Sequence, residues 1–159
     1  MTAAESEILA LEQIAELSAP AAVEVADDVD IVQRYGFDNS STFAGAFGSG
    51  AVIYAGFTSD WDSHLLRLKT LVPKTAVRVF VAKHTEEELI GAVQTVSADR
   101  SSLRAEGILI RSIGVDPKRN RLRITFGEVP RPERLDALTR RYGPDLLTFD
   151  EVPRTFFVA

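Results

Sequence analysis

The sequence predicts an α+β fold made of two tandem β-β-α-β units, each resembling half of a ferredoxin-like domain, with antiparallel sheets. A hairpin pattern, a helix pattern and a strand pattern follow one another from residue 42, and the same order recurs about 70 residues later. A long helix pattern separates the two copies, and another helix pattern precedes them. Apolar residues make up 45 % of the 159 residues, which is enough for a sizeable core.

These patterns divide the chain into four segments. The predicted segments are an N-terminal helix with an acidic linker (1–41), the first unit (42–84), the connecting helix (85–106) and the second unit with an apolar tail (107–159).

The N-terminal segment carries two different patterns. Apolar residues from Ile8 to Leu17 share one face at helical spacing, which predicts a short amphipathic helix that Pro20 ends. Residues 24–30 are rich in acidic side chains, and this composition predicts a linker.

Each copy opens with a predicted β-hairpin. Residues 43–57 contain a turn at 48–50, and residues 108–126 contain a turn at 116–120. Both turns are composed of residues that tolerate a tight or left-handed backbone.

The two copies then stay in register along the predicted helices and strands. Leu65 aligns with Leu135, and Val52 aligns with Leu122. A strand with alternating apolar residues follows each helix, which indicates a half-buried sheet. We therefore expect helices to cover one face of each antiparallel sheet.

The connecting helix has clear start and stop signals. Thr85 and Glu88 have the spacing of a capping box, and Gly107 follows the last helical residue. Its apolar stripe, roughly 30 Å long at 1.5 Å per residue, predicts one continuous helix that packs on both sheets. The stripe consists of Leu89, Val93, Val96 and Leu103.

The residues that carry chemistry do not form a recognisable catalytic pattern. The chain has no cysteine, which excludes disulfides, thiolate metal sites and cysteine nucleophiles. Ser63 and His64 are adjacent, so on a helix they point about 100° apart and predict a helix start rather than a nucleophile and its base. His84 is predicted to be a surface residue at a strand end. The sequence therefore predicts no catalytic, metal-binding or cofactor-binding residues.

Basic residues are concentrated in the second unit. Residues 111–141 carry nine basic and four acidic side chains, whereas residues 1–30 carry eight acidic and no basic ones. Arg121, Arg123 and Thr125 alternate with apolar residues, so they are predicted to share the outer face of the sheet. We expect this region to bind another protein, a missing domain or the acidic segment of the same chain, working through sheet edges. Nucleic acid is an alternative partner, but no aromatic stacking residues accompany the arginines.

The C-terminal segment is apolar and ends with two adjacent aromatics, Phe156 and Phe157. Adjacent residues of an extended segment point to opposite sides, so the domain's own core readily accommodates only one of them. We predict that the other contacts a partner. Uncharged apolar stretches reach only about ten residues, below the roughly 20 that a membrane-spanning helix needs.

The segment Val115–Phe126 resembles the Val-Asp-x-x-x-Asn hairpin in the pro-regions of secreted α-lytic-type bacterial serine proteases. The layout from about Phe43 to Val152 is similar too, with two lobes joined by a long helix. The resemblance implies a folding assistant or inhibitor from a secreted or cell-envelope protein, whose sheet around 122–126 and tail at 152–159 contact a protease. The chain departs from that pattern at Ile113-Gly114, where the family has aromatics, and it contains neither a signal-peptide pattern nor a protease domain. A small hydrolase on a ferredoxin-like scaffold is the remaining alternative.

Overall fold

The computed structural model describes residues 22–149, with side chains from Val25 onward. Two compact units divide the chain between Glu86 and Glu87. The architecture is α+β. The elements of the described region are α1 (Ala22–Asp38), β1 (Phe43–Ser49), β2 (Val52–Phe57), α2 (Trp61–Leu71), β3 (Ala76–Val81), α3 (Glu86–Ala98), α4 (Arg100–Ala105), β4 (Ile110–Asp116), β5 (Arg121–Phe126), α5 (Pro132–Tyr142) and β6 (Leu147–Phe149).

Each unit contains a three-stranded mixed sheet. In the first unit the order is β1-β2-β3, with β1 antiparallel and β3 parallel to β2. In the second unit β4 and β6 flank β5 in the same way. The prediction of antiparallel sheets is therefore wrong. The reason is that a helix crosses over between the second and third strands of each unit, and such a crossover returns the chain in a parallel direction.

The strand ladders show which residues of the two units are equivalent. Ile53 pairs with Val77 on the third strand, just as Leu122 pairs with Leu147. Ile53, and not Val52 as predicted, is therefore the counterpart of Leu122. The predicted alignment uses one constant difference in residue number between equivalent positions. This difference is one residue smaller between β2 and β5 than between the helices α2 and α5. A shift of one residue moves a side chain to the other face of a sheet.

The first core lies between one face of its sheet and the helices α1 and α2. Ile53 and Phe57 on the central strand and Leu68 on α2 are fully buried there. Helix α1 contributes Val25 and Val32, and its axis passes close enough to β1 that the Phe43 ring lies directly against the backbone at Gly36. The structure thus has a helix where acidic composition predicted a linker at 24–30.

The other face of the first sheet is also apolar. Tyr54 is fully buried there and stacks on Phe47, with ring centroids 5.2 Å apart. The ring of Phe80 crosses Gly56 on the neighbouring strand, where a Cβ atom would approach it to 2.6 Å. Glycine at position 56 is therefore required by the packing of this face.

The connecting helix belongs to the core of the second unit. Leu89, Val96 and Leu103 pack with buried residues of β5 and α5, among them Leu122 and Leu138. The helix is not continuous as predicted, because Asp99 interrupts it between α3 and α4. The Asp99 carboxylate accepts a hydrogen bond from Tyr142 Oη at 2.6 Å, which ties the interruption to the end of α5.

Val96→Asp should destabilise the second unit by at least about 3 kcal/mol, because it places an unpaired carboxylate at a fully buried position. Ser97→Asp is the matched control, since the neighbouring Ser97 is exposed. Val93→Asp should have an intermediate effect because Val93 is half-buried. Urea denaturation followed by circular dichroism measures all three, and equal midpoints for Val96→Asp and Ser97→Asp would contradict the packing of α3.

Candidate functional site

The second sheet presents a polar outer face, which we call the arginine face. Leu122 and Ile124 are fully buried on the core side of β5. The residues that alternate with them consequently point away from that core, as their sequence pattern predicted. With their cross-strand partners on β4 and β6, the residues of the arginine face are Ser112, Gly114, Asp116, Arg121, Arg123, Thr125 and Thr148.

The arginine face lies on a central strand and not on a sheet edge. The β5 backbone pairs with β4 on one side and with β6 on the other. The pairing with β6 extends from Leu122 to Ile124, so in this part of β5 a partner can reach only side chains, and contact through a sheet edge involves β4 or β6. This placement refines the prediction of edge binding in the second unit.

The beginning of the β4 edge is already occupied by a side chain. The guanidinium of Arg100 donates to the Ile110 carbonyl at 2.7 Å and to the Arg111 carbonyl at 2.7 Å. These carbonyls lie at the bulge between Ile110 and Ser112. A cation bound to edge carbonyls blocks the addition of a further strand at this point.

The two arginines of the face have different surroundings. Arg121 lies 4.0 Å from Asp145, and both side chains are about half exposed, so water screens this ion pair. Arg123 is exposed. Thr125 shares a hydrogen bond with the hydroxyl of Ser112 across the strands. The face therefore presents two guanidinium groups beside a hydroxyl pair, and the Asp116 carboxylate, which is bonded to Arg119, lies opposite Arg121.

The turn that carries the pro-region resemblance is stabilised by its own side chains. Asp116 is 8 % exposed and accepts hydrogen bonds from the backbone NH and the guanidinium of Arg119, both at 3.1 Å. Asn120 adopts a left-handed backbone with φ of 54°, a conformation that asparagine tolerates better than most residues. Within the hairpin these two residues stabilise the turn.

The first unit contains a buried imidazole that the sequence pattern does not reveal as buried. His64 is 6 % exposed and stacks on the Phe57 ring with centroids 3.9 Å apart. Its Nδ1 lies 2.6 Å from Tyr35 Oη, and its Nε2 lies 2.9 Å from Thr42 Oγ1. Both ring nitrogens thus have hydroxyl partners, one from α1 and one from the segment before β1.

The hydroxyl contacts assign the protons of this network. Thr42 donates to the Asn39 carbonyl at 3.4 Å, so its oxygen accepts from His64 Nε2–H. Nδ1 then accepts from Tyr35. Burial lowers the pKa of His64, and the nearby Arg67 lowers it as well, whereas Asp60 raises it. Burial consequently favours the neutral form of His64, and its two hydroxyl partners join α2 to α1 and to the segment before β1.

The first unit also contains a cleft lined in part by polar side chains. This cleft of about 380 Å³ lies between the α1 segment at Asp27 and Asp28 and the 71–75 segment, where Thr75 donates a hydrogen bond to Asp28. Among the side chains described, from Val25 to Phe149, no group of three or more His, Cys, Asp or Glu is placed to hold a metal ion. None of the helices α1 to α5 is long and apolar enough to cross a membrane.

Comparison of the chain with protein-family models, with curated proteins and with solved structures found no match. Of the predicted partner-binding residues, the structure brings Arg121, Arg123 and Thr125 together on one face. Phe156 and Phe157 lie outside the described residues, so their predicted contact with a partner stays a prediction.

The His64 network should make the stability of the first unit depend on pH. The unfolded chain takes up a proton at the ordinary histidine pKa of 6.5, whereas the folded chain resists protonation because its pKa is lowered. The free energy of unfolding should therefore decrease as the pH falls from about 7.5 through the ordinary histidine pKa towards about 5. Urea denaturation at several pH values measures this decrease.

Two variants isolate the contribution of His64 to that pH dependence. His64→Gln should flatten the profile between about pH 7.5 and 5, whereas His84→Gln should retain the decrease. If the two variants have the same slope as the parent chain, protonation of His64 does not control the stability.

Proposed function

We propose that the chain is a non-catalytic protein-binding domain that contacts its partner through the arginine face of the second unit. The observation that carries this proposal is the asymmetry between the two sheets. The first sheet has buried apolar residues on both faces, including Tyr54 and Ile53. The second sheet buries Leu122 and Ile124 on one face and presents Arg121 and Arg123 on the other.

The fixed backbone that carries the two arginines supports a binding role. Arg121 and Arg123 flank Leu122, which is fully buried, and their strand is bonded to a neighbour on each side. The backbone below the guanidinium groups is therefore fixed before a partner arrives, which reduces the conformational entropy lost on binding. Arginine is also enriched at positions that dominate binding energy, because its planar group forms several hydrogen bonds at once.

We assign the domain to a pro-region-like role, as a folding assistant or an inhibitor of a bacterial protein that is secreted or held in the cell envelope. The support is the order of elements, since hairpin, helix and strand recur in both units. The turn at Asp116–Asn120, which carries the sequence resemblance, adds to it. The partner in this proposal is another protein or a further domain of the same protein.

Two alternative functions have less support. A nucleic acid requires clustered cations, which the arginine face supplies, but stacking aromatics are absent from that face in the described residues. A hydrolase requires a nucleophile and a base that a substrate can reach, whereas His64 is 6 % exposed and stacks on Phe57.

Replacing Arg121 and Arg123 together by Gln should weaken partner binding by at least about tenfold, because each guanidinium makes charge-assisted contacts. The matched control replaces Arg104 and Arg140 by Gln, since these exposed arginines belong to the same unit and give the same change in net charge. The partner is recovered from an extract of the source organism with the immobilised full chain, then purified and titrated by calorimetry.

A salt titration separates the two partner classes. Binding of a duplex of about 20 base pairs or of single-stranded DNA, with an affinity that falls steeply with salt concentration, would favour the nucleic-acid alternative. Equal affinity of both double variants for the recovered protein would exclude the arginine face as the binding surface.

A further inference from the structure

Gly114 occupies the interior of β4 although the described residues of its unit give no reason for a glycine there. Its φ does not lie in the left-handed region, in contrast to Gly45, Gly50, Gly107 and Gly143. A Cβ atom at position 114 would meet no atom of the described residues within 4 Å. A glycine inside a strand reduces stability because it loses more backbone entropy on folding and packs no side chain.

The first unit shows which kind of side chain occupies the position equivalent to Gly114. The cross-strand pair Phe47 and Tyr54 is equivalent to the pair Gly114 and Arg123, because both pairs lie at the same ladder position relative to the same bulge. In the first unit these two side chains form a parallel aromatic stack with an interplanar angle of 18°. In the second unit one side chain of the pair is missing and the other is a guanidinium.

An aromatic ring from outside would complete the pair in the second unit. A planar ring above Gly114 lies next to Arg123 at cross-strand distance, where a guanidinium stacks well on an aromatic face. Arg121 points from the same strand to the same face, roughly 7 Å further along. Its ion pair with Asp145 is screened by water and its cross-strand neighbour Asp116 is bonded to Arg119, so Arg121 keeps donors for a carboxylate of the partner.

We propose that the arginine face binds an extended segment of a partner protein that carries an aromatic side chain beside a carboxylate. The ring lies over Gly114 and stacks on Arg123, and the carboxylate lies between Arg121 and Arg123. This inference rests on the proposed protein-binding function and names the chemistry of the partner segment.

The test compares three peptides that differ only in the central residue. Acetyl-Val-Asp-Phe-Asp-Val-amide is titrated into the ¹⁵N-labelled full chain, beside the same peptide with cyclohexylalanine or alanine in place of Phe. The cyclohexylalanine peptide keeps the size and charge of the Phe peptide but has no π system. The Phe peptide should bind about two- to fivefold more tightly than the cyclohexylalanine peptide, as expected for an exposed guanidinium–ring contact, and the alanine peptide should bind most weakly.

Variants of the chain show which residues cause the preference for the Phe peptide. Arg123→Gln should abolish the preference for Phe over cyclohexylalanine, and Gly114→Phe should do so by filling the space. Gly91→Phe is the control, because a Cβ atom at Gly91 would likewise meet no neighbour within 4 Å, although this glycine lies on α3. The amide shifts should concentrate at Gly114, Arg123 and Thr125. If Gly114→Phe fails to fold, Arg123→Gln decides the question.

Three results would overturn the inference. They are equal affinity of the Phe and cyclohexylalanine peptides, a preference that persists in Arg123→Gln, and a preference that appears only after deletion of residues 156–159, which would assign the face to the chain's own tail. If the peptides show no preference while the Arg121 and Arg123 double variant still loses the recovered partner, only the aromatic contact is wrong. If that double variant also retains its partner, the proposed function is wrong as well.

Discussion

The helical crossover between the second and third strands is the constraint on which the rest of each unit depends. Because the helix must bury Leu68 in one unit and Leu138 in the other against the sheet, the chain returns parallel to the strand it left. The returning strand places β2 and β5 in the centre of their sheets. A central strand has no free backbone groups, so the chemistry that it offers outward is that of its side chains alone.

The two units use this common backbone for different purposes. In the first unit, the outward residue Tyr54 is buried in an aromatic cluster, the partly buried Phe47 stacks on it, and Phe80 closes over Gly56. In the second unit, the equivalent outward residues are polar or lack a side chain. Similar backbones thus carry a structural face in one copy and a candidate binding face in the other, so the function depends on the side chains and not on the fold.

Much of the fold can be predicted from the sequence, because periods of two and of about 3.6 residues report which side chains share a face. The same periods do not report strand direction, so they cannot distinguish the parallel third strands from antiparallel ones. Helix α1 escapes prediction for a different reason: its acidic composition is typical of a linker, although Val25, Val29 and Val32 have helical spacing. The one-residue error at Val52 arises because a constant offset ignores the connection between the second strand and the helix, which is one residue longer in the second unit (Phe126 to Leu138) than in the first (Phe57 to Leu68).

The residues of the candidate site show the same difference: those placed by a local pattern can be predicted, whereas contacts between distant residues cannot. Arg121, Arg123 and Thr125 share a face because alternation along one strand is local. The partners of His64 come from positions 22 and 29 residues away, which no local pattern specifies.

Gly114 is the most instructive case, since the reason for a glycine inside a strand can be judged only when its neighbours are known. Gly56 is explained by the ring of Phe80, whereas Gly114 has no such neighbour among the described residues. A glycine inside a strand often marks a place where another group approaches closely, and the proposed partner ring above Gly114 is such a group.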